Sequence, residues 1–295
     1  RNIDHSIVRK QKSKMPKDIL EEIVANKRIE VAIAQQTVSL EYLKELTADK
    51  IKADGKLKMR SMRESLASSK SGIISEFKRK SPSKGWIHAD AKPEDVVPIY
   101  AKGGASALSI LTDEKYFGGQ LEFVRQMRPL VGETPILRKE FIIDPYQLYE
   151  ARLYGADAVL LIAADLEPAQ YAALGQLAHE LGLEVLLEVH DPTELSYLQS
   201  FVPDMLGVNN RSLGTFHTDV QHSFDIAAAM QQAVADLQLS DDEKPVLISE
   251  SGISNPEVVK SLRQVGFRGF LIGECFMKEA NPGEALTHFI EQVTQ

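Results

Sequence analysis

The chain has 295 residues, 43% of them apolar and 7% aromatic, enough to build a large core in one sizeable domain or two small ones. A net charge of −8 argues against nucleic acid or an acidic membrane surface as partner, although a small anion needs only a local cluster of lysines. The single cysteine, Cys275, excludes an internal disulfide and a cysteine zinc site, and no apolar run reaches the roughly 20 residues of a membrane span.

The elements follow in chain order. Residues 1–70 are rich in Lys, Glu, Ser and Met and hold no strand-like run. Ile19, Leu20, Ile23 and Val24 recur at helical spacing after Met15-Pro16, and further helices are expected over Ser39–Leu46 and Lys58–Ala67. The charged stretch Thr47–Lys56, with Gly55, reads as a loop. From Gly72 onward, apolar runs rich in β-branched residues alternate with helical segments. The strand candidates are Gly72–Lys78, Ala107–Leu111, Pro135–Phe141, Ala158–Ala163, Glu184–Val189, Met205–Asn209, Pro245–Ser251 and Gly269–Gly273. Helices are expected at Pro93–Lys102, Pro145–Tyr154, Pro168–Leu181, Thr193–Ser200 and Pro256–Val265, among others. Continuously apolar strands alternating with helices indicate an α/β fold of the (β/α)8 TIM-barrel kind, with 1–70 as an N-terminal helical extension packed on a catalytic barrel of 71–295. An open doubly wound sheet shares this alternation, but no Gly-x-Gly-x-x-Gly turn follows the first strand. Cys275, at the end of the last strand, reads as a packing residue. The polar start carries no signal-peptide core, so a reducing cytoplasm is expected.

Polarity is concentrated where the strands end, in Ser75-Glu76-Phe77-Lys78, Arg138-Lys139-Glu140, Glu188-Val189-His190, Asn209-Asn210-Arg211 and Ser249-Glu250-Ser251. In a parallel barrel these ends share the rim that carries active sites. Alternation along a strand puts Ile74, Glu76 and Lys78 on one face, Leu137, Lys139 and Phe141 on another, and likewise Leu186 with Glu188 and Gly207, Asn209 and Arg211. If those faces point inward, lysines and carboxylates meet above the core and can divide acid and base roles. The plainer alternative is a solvated rim of salt bridges. Ser251-Gly252 and Gly273-Glu274 each place a glycine just past a final strand, where barrels often bind phosphate through backbone N–H groups.

These segments resemble the indole-3-glycerol phosphate synthase family. Ile74-Ser75-Glu76-Phe77-Lys78-Arg79-Lys80-Ser81-Pro82-Ser83 is similar to its signature almost residue for residue. Further matches follow in the family's order: Ser109–Asp113 with Tyr116–Gly119, Leu137–Phe141, Gly155–Ile162, Leu187–His190, Gly207–Arg211 and Ser249–Ile253. Even Ile19–Lys27 and Glu30 are similar to the family's N-terminal helix. The resemblance implies cofactor-free and metal-free ring closure of 1-(2-carboxyphenylamino)-1-deoxyribulose 5-phosphate, with loss of CO₂ and water. It makes Lys139 a general acid, Glu188 and Lys78 participants in dehydration, and Glu76 and Asn209 positioning groups. The division of labour between Lys78 and Lys139 at each step stays open.

For binding, the resemblance implies Ser81, Asn209 and Arg211 at the anthranilate carboxylate, where guanidinium offers a planar fork. Phe117, Phe141, Leu160 and Leu213 would hold the aromatic ring, with Ser109 in the same rim; ordinary packing is the alternative for Leu160 and Leu213. Lys78, Ser251, Gly252, Gly273 and the N–H of Glu274 would take the phosphate. Family members often have Ser or Thr at the position of Glu274, so its side chain is expected to turn away. The basic Arg9-Lys10-Gln11-Lys12 reads as a solvated tail, or else as part of a lid. A phosphorylated small molecule is the only partner implied. Phosphoribosylanthranilate isomerase is the nearest rival; it needs an Asp and Cys pair that Cys275 is badly placed to supply, and with the chain reaching Gln295 soon after the eighth unit no second barrel is expected. A non-catalytic sugar-phosphate binder would not need Lys78, Lys139 and Glu188 together.

Overall fold

The structure is a computed structural model that describes residues 17–212 and 216–295. Eight parallel strands close into a barrel: β1 (Ile73–Phe77), β2 (Ala107–Leu111), β3 (Ile136–Lys139), β4 (Ala158–Ile162), β5 (Glu184–Val189), β6 (Met205–Asn209), β7 (Val246–Glu250) and β8 (Gly269–Ile272). Each strand pairs with its sequence neighbours, and β1 pairs with β8, which closes the ring and rules out the open sheet. Strand alternation divides the apolar residues into two separate clusters. Ile74, Leu137, Leu160, Leu186, Ile248 and Leu271 fill the barrel. Ile73, Ile110, Val159, Leu187, Val208 and Phe270 face outward into the layer beneath the helices.

The helices start where the local chemistry tells them to. Helices Pro145–Tyr154 and Pro256–Gln264 place proline in their first turn behind an Asp144 or Asn255 cap. Proline there gives up an N–H that has no helical partner anyway, and the cap side chain accepts from one that would otherwise go unmet. The segment expected at Thr193–Ser200 is a 3₁₀ helix, Pro192–Gln199.

Three helices precede the barrel: α1 (Lys17–Thr37), α2 (Leu40–Asp54) and α3 (Met62–Ser68). From α3, Met62 and Leu66 join the inner cluster as the barrel's floor, both fully buried. Arg9–Lys12 lie outside the described residues.

The loop expected at Thr47–Lys56 is instead the second half of α2, which ends at Gly55 in the left-handed conformation (φ 72°). Its charged composition hides tertiary support. Thr47 is buried, with its hydroxyl donating to the Leu43 carbonyl at 2.7 Å, and Asp54 pairs with Lys50 at 2.6 Å and with Arg152 of helix Pro145–Tyr154 at 2.8 Å. Docking on that helix overrides the weak local preference. Likewise α3 begins later than Lys58, whose ammonium reaches Glu184 at 2.6 Å.

One lysine fastens α1 to the rim. Lys27, only 3% exposed, places its ammonium 2.7 Å from Asp113 beyond β2, 2.9 Å from Glu140 beyond β3, and 2.7 Å from Glu30. Burial alone would lower its pKa, but Glu140 and Asp113 outweigh it and hold the group above the ordinary lysine range. A lysine with a raised folded-state pKa contributes stability throughout neutral pH and loses it only in strong alkali. Lys27→Met removes the cation and leaves buried carboxylates facing one another. We expect a loss of about 3–5 kcal/mol in denaturant unfolding followed by circular dichroism; an unchanged midpoint would show that the cluster does not hold α1 in place.

Candidate active site

At the C-terminal ends of the strands, the inward phase that carries Ile74, Leu137 and Leu186 continues with Glu76, Lys139 and Glu188. These three, with Lys78, Asn209 and Arg211, line one cavity of about 690 Å³. That volume lies within the range of small-molecule sites. Glu76 is its electrostatic centre, almost completely buried. The ammonium of Lys139 lies 3.2 Å from one of its oxygens and that of Lys78 3.8 Å from the other, while the Ser109 hydroxyl donates to it at 2.8 Å. Burial opposes ionisation of Glu76, yet the two lysines and Ser109 keep its pKa below the usual glutamate value.

The lysines are pushed in opposite directions. Burial works against the charged form of Lys139, but Glu76, Glu250 and Glu188 prevail and raise its pKa. Lys78 is lowered by burial and by the neighbouring charges of Lys139 and Arg211, against the pull of Glu76 and Glu274. Paired groups driven apart in this way can take different proton-transfer roles.

Sequence reasoning passed over Glu250. It continues the inward phase of Val246 and Ile248 on β7, a signal present in the alternation but overshadowed by the Ser-Gly turn that follows. Its carboxyl is buried and makes no hydrogen bond by geometry. Burial first, and then the charge of Glu188, push its pKa well above the ordinary value, against Lys139. Two glycines make the room that these acids occupy. A Cβ on Gly207 would come within 2.8 Å of Glu250, and one on Gly273 within 3.2 Å of Glu76. Ile19, Leu20 and Ile23 of α1 were also missed as site residues, and they form part of the cavity wall.

Among the expected ring-binding residues, Phe117, Phe141 and Leu160 line the cavity, with the two phenyl centroids 5.8 Å apart. Leu213 lies outside the described residues. Ser81 and Ser109 do not reach the cavity wall. Ser81 is buried and accepts from the Lys84 N–H at 3.2 Å, fixing the two-residue hairpin of Lys80–Ser81 with Gly85–Trp86. Asn209 accepts from the Ser251 hydroxyl at 2.7 Å and from the Arg211 N–H at 3.0 Å, so one amide oxygen ties the end of β6 to the turn after β7. The Arg211 Nε donates to Thr218 at 3.2 Å.

Ser251, Gly252, Gly273 and Glu274 meet at one end of the same cavity. Ser251 (φ 76°) and Gly252 (φ 77°) are both left-handed, a strained state for serine of the kind often found at functional sites. Gly273 caps the short helix Glu274–Met277, whose first N–H groups are free for an anion. The Glu274 carboxylate lies 3.9 Å from Lys84. The described residues include no group of three or more His, Cys, Asp or Glu able to hold a metal ion.

Because Glu250 gains affinity for its proton on folding, ionising it above its unfolded pKa of about 4.3 drains stability. Glu250→Gln keeps the shape and removes the titration. At pH 8 its melting temperature is expected to rise by about 2–4 °C, the effect of roughly 1 kcal/mol in a domain of this size. The gain should vanish near pH 4, and a lower melting temperature at pH 8 would contradict the assignment.

The family model described as indole-3-glycerol phosphate synthase matches residues 20–289. A protein of that name from Bacteroides thetaiotaomicron is 57% identical over 277 residues, covering 94% of this chain and 99% of its own. Those from Delftia acidovorans and Neisseria gonorrhoeae are 39% and 41% identical, covering 91% and 90% of this chain and 97% and 96% of their own. Among solved structures, a tryptophan synthase α-subunit from Pyrococcus furiosus gives a TM-score of 0.56 at 15% identity over 76% of this chain and 97% of its own. A thiamine phosphate pyrophosphorylase from the same organism gives 0.53 at 16% over 77% and 98%, so both share the fold alone. With its sequence matched almost end to end, this chain belongs to the indole-3-glycerol phosphate synthase family.

Proposed function

We propose that this chain closes the indole ring of 1-(2-carboxyphenylamino)-1-deoxyribulose 5-phosphate with Lys139, Lys78 and Glu188, in the cavity above the barrel core. The observation that carries the assignment of roles is that one cavity joins these three groups to both glycine turns at the ends of β7 and β8. The phosphate sits against Ser251, Gly252, Gly273 and the N–H of Glu274, with Lys78 supplying charge. The carboxylate takes Arg211 and Asn209, and the ring enters the slot of Phe117, Phe141 and Leu160. Substrate between these anchors is held with its carbonyl above the Glu76–Lys139 pair, so orientation contributes part of the rate.

Lys139, kept protonated by the surrounding carboxylates, donates to the C2′ carbonyl oxygen as the aromatic carbon attacks. The resulting ring cation accepts the electron pair released when the C–CO₂⁻ bond breaks. Dehydration then requires a proton for the departing hydroxyl and a base for the proton on the adjacent carbon. Lys78, whose ammonium is destabilised, supplies the first, and Glu188 removes the second. The single thiol of Cys275 fits a reducing cytoplasm as the compartment. No helix among the described residues is long and apolar enough to cross a membrane.

Appearance of indole fluorescence from the carboxyphenylamino substrate tests the reading. Lys139→Ala should lower kcat by about 10²–10⁴-fold with an unchanged circular dichroism spectrum; near wild-type turnover would remove Lys139 from the acid role. Glu188→Gln should also lower kcat while inhibition by inorganic phosphate stays within about twofold, since phosphate lies at the other end of the cavity. A parallel loss of phosphate affinity would place Glu188 in the binding machinery instead.

A further inference from the structure

Ring closure by this route does not conserve protons. One is delivered to the carbonyl oxygen and one to the leaving hydroxyl, while one returns from carbon. The substrate carboxylate plus one proton gives indole product, CO₂ and water, so each turnover takes one proton from solvent. With substrate filling the cavity, Lys139 and Glu188 have little direct access to water. Glu188 lies at the cavity wall, and behind it stands His190, a residue that lines no part of the cavity.

The His190 side chain is 10% exposed, and neither ring nitrogen makes a hydrogen bond. Its Nε2 lies 3.6 Å from Glu188 Oε2, and its Nδ1 lies 4.0 Å from Glu194 Oε1. Both gaps exceed hydrogen-bond length and are short enough to close on a rotamer adjustment, as catalytic contacts often do when substrate binds. Backbone contacts aim the ring. His190 donates its own N–H to Glu194 at 2.7 Å, and His222 of helix Gln221–Ala235 donates to its carbonyl. An imidazole with an acceptor on each side can take a proton at one nitrogen and release one from the other.

We propose that His190 is a proton relay, carrying the solvent proton of each turnover from the Glu194 side to Glu188. At the end of a turnover both lysines have given up a proton and Glu188 holds the one taken from carbon, which it returns to Lys139, the lysine its charge acts on. A solvent proton then enters His190 at Nδ1, the Nε2 proton passes to the emptied Glu188 Oε2, and from there it replaces the proton spent by the second lysine. The ring is left neutral in its other tautomer and resets by exchange with solvent. The proposal rests on the reaction assigned above. His190 acts through Glu188 and does not itself touch substrate.

The neighbouring charges suit that traffic. Asp165, following β4, makes no hydrogen bond through either oxygen; burial, then Glu188 and Glu194, push its pKa up to about 7, with Arg28 of α1 pulling the other way. Asp165 is thereby able to hold a proton near neutrality beside the two glutamates. Asp191, exposed at the start of the 3₁₀ helix, is kept ionised by Thr193, with His190 adding to the effect. The His190 ring thus lies between the carboxylates of Glu188 and Glu194, with Asp191 adjacent in the chain, His222 on its own carbonyl, and Asp165 with Arg28 beyond the two glutamates.

The test compares wild type, His190→Gln and His190→Ala in imidazole-free buffer. At pH 7 the steady-state kcat of both variants is expected to fall on the order of tenfold, with KM within twofold. A rapid-quench first turnover should be unaffected, because it draws on protons already held by Lys139 and Lys78. Added imidazole should restore His190→Ala in proportion to its cationic fraction. Turnover at the wild-type level in both variants overturns the relay, as does a loss that slows the first turnover equally and that imidazole leaves unchanged, which marks a packing role. If wild type makes no indole product, the reaction itself fails and the relay with it.

Discussion

A closed ring of parallel strands leaves each residue two orientations, and everything above the floor of this barrel follows from that restriction. The same inward phase that stacks Ile74, Leu137 and Leu186 as core delivers Glu76, Lys139 and Glu188 one step higher. Hydrocarbon below therefore sets the low-dielectric surroundings of the ionic groups above. In that setting a carboxylate is stable only between cations, and Glu76 has Lys78 and Lys139 on either side.

Buried acids also need space. Gly207 and Gly273 lie on the inner wall where a methyl group would press on Glu250 or Glu76. Their role is volumetric, since neither backbone takes a left-handed angle. By contrast, Ser251 and Gly252 are bent into that region together, and the Ser251 hydroxyl is held by Asn209. The cavity is thus shaped both by absent side chains and by strained backbone.

Period-two alternation made the barrel and most of its mouth legible in the amino-acid sequence, because strand position alone decides which way Lys139 or Asn209 points. Glu250 follows from the same logic, two places beyond Ile248, although the Ser-Gly turn after it is the more conspicuous signal. What could not be read was long-range. Charged residues at the end of α2 look like a loop until Thr47 and Asp54 meet Tyr149 and Arg152, about a hundred positions away. The contribution of Ile19, Leu20 and Ile23 to the cavity is of the same type, since helical spacing shows that a face is apolar and not where the helix docks. Ser81 adds a local detail that its matching segment does not reveal: its hydroxyl accepts from the Lys84 N–H and so shapes the turn there.

The attachment of α1 through Lys27 bears on how far this architecture can be treated as modular. The barrel's β2 and β3 loops carry Asp113 and Glu140; Glu140 has Arg138 of β3 at 3.7 Å, but the cation that bridges both acids comes from a helix outside the ring. A version of the catalytic ring trimmed of its leading helices, whether by an engineer or by evolution, would inherit an electrical imbalance next to Phe141 and lose one wall of its chamber. Swapping that leading segment between relatives would accordingly require transferring the cation and its two acceptors as a set.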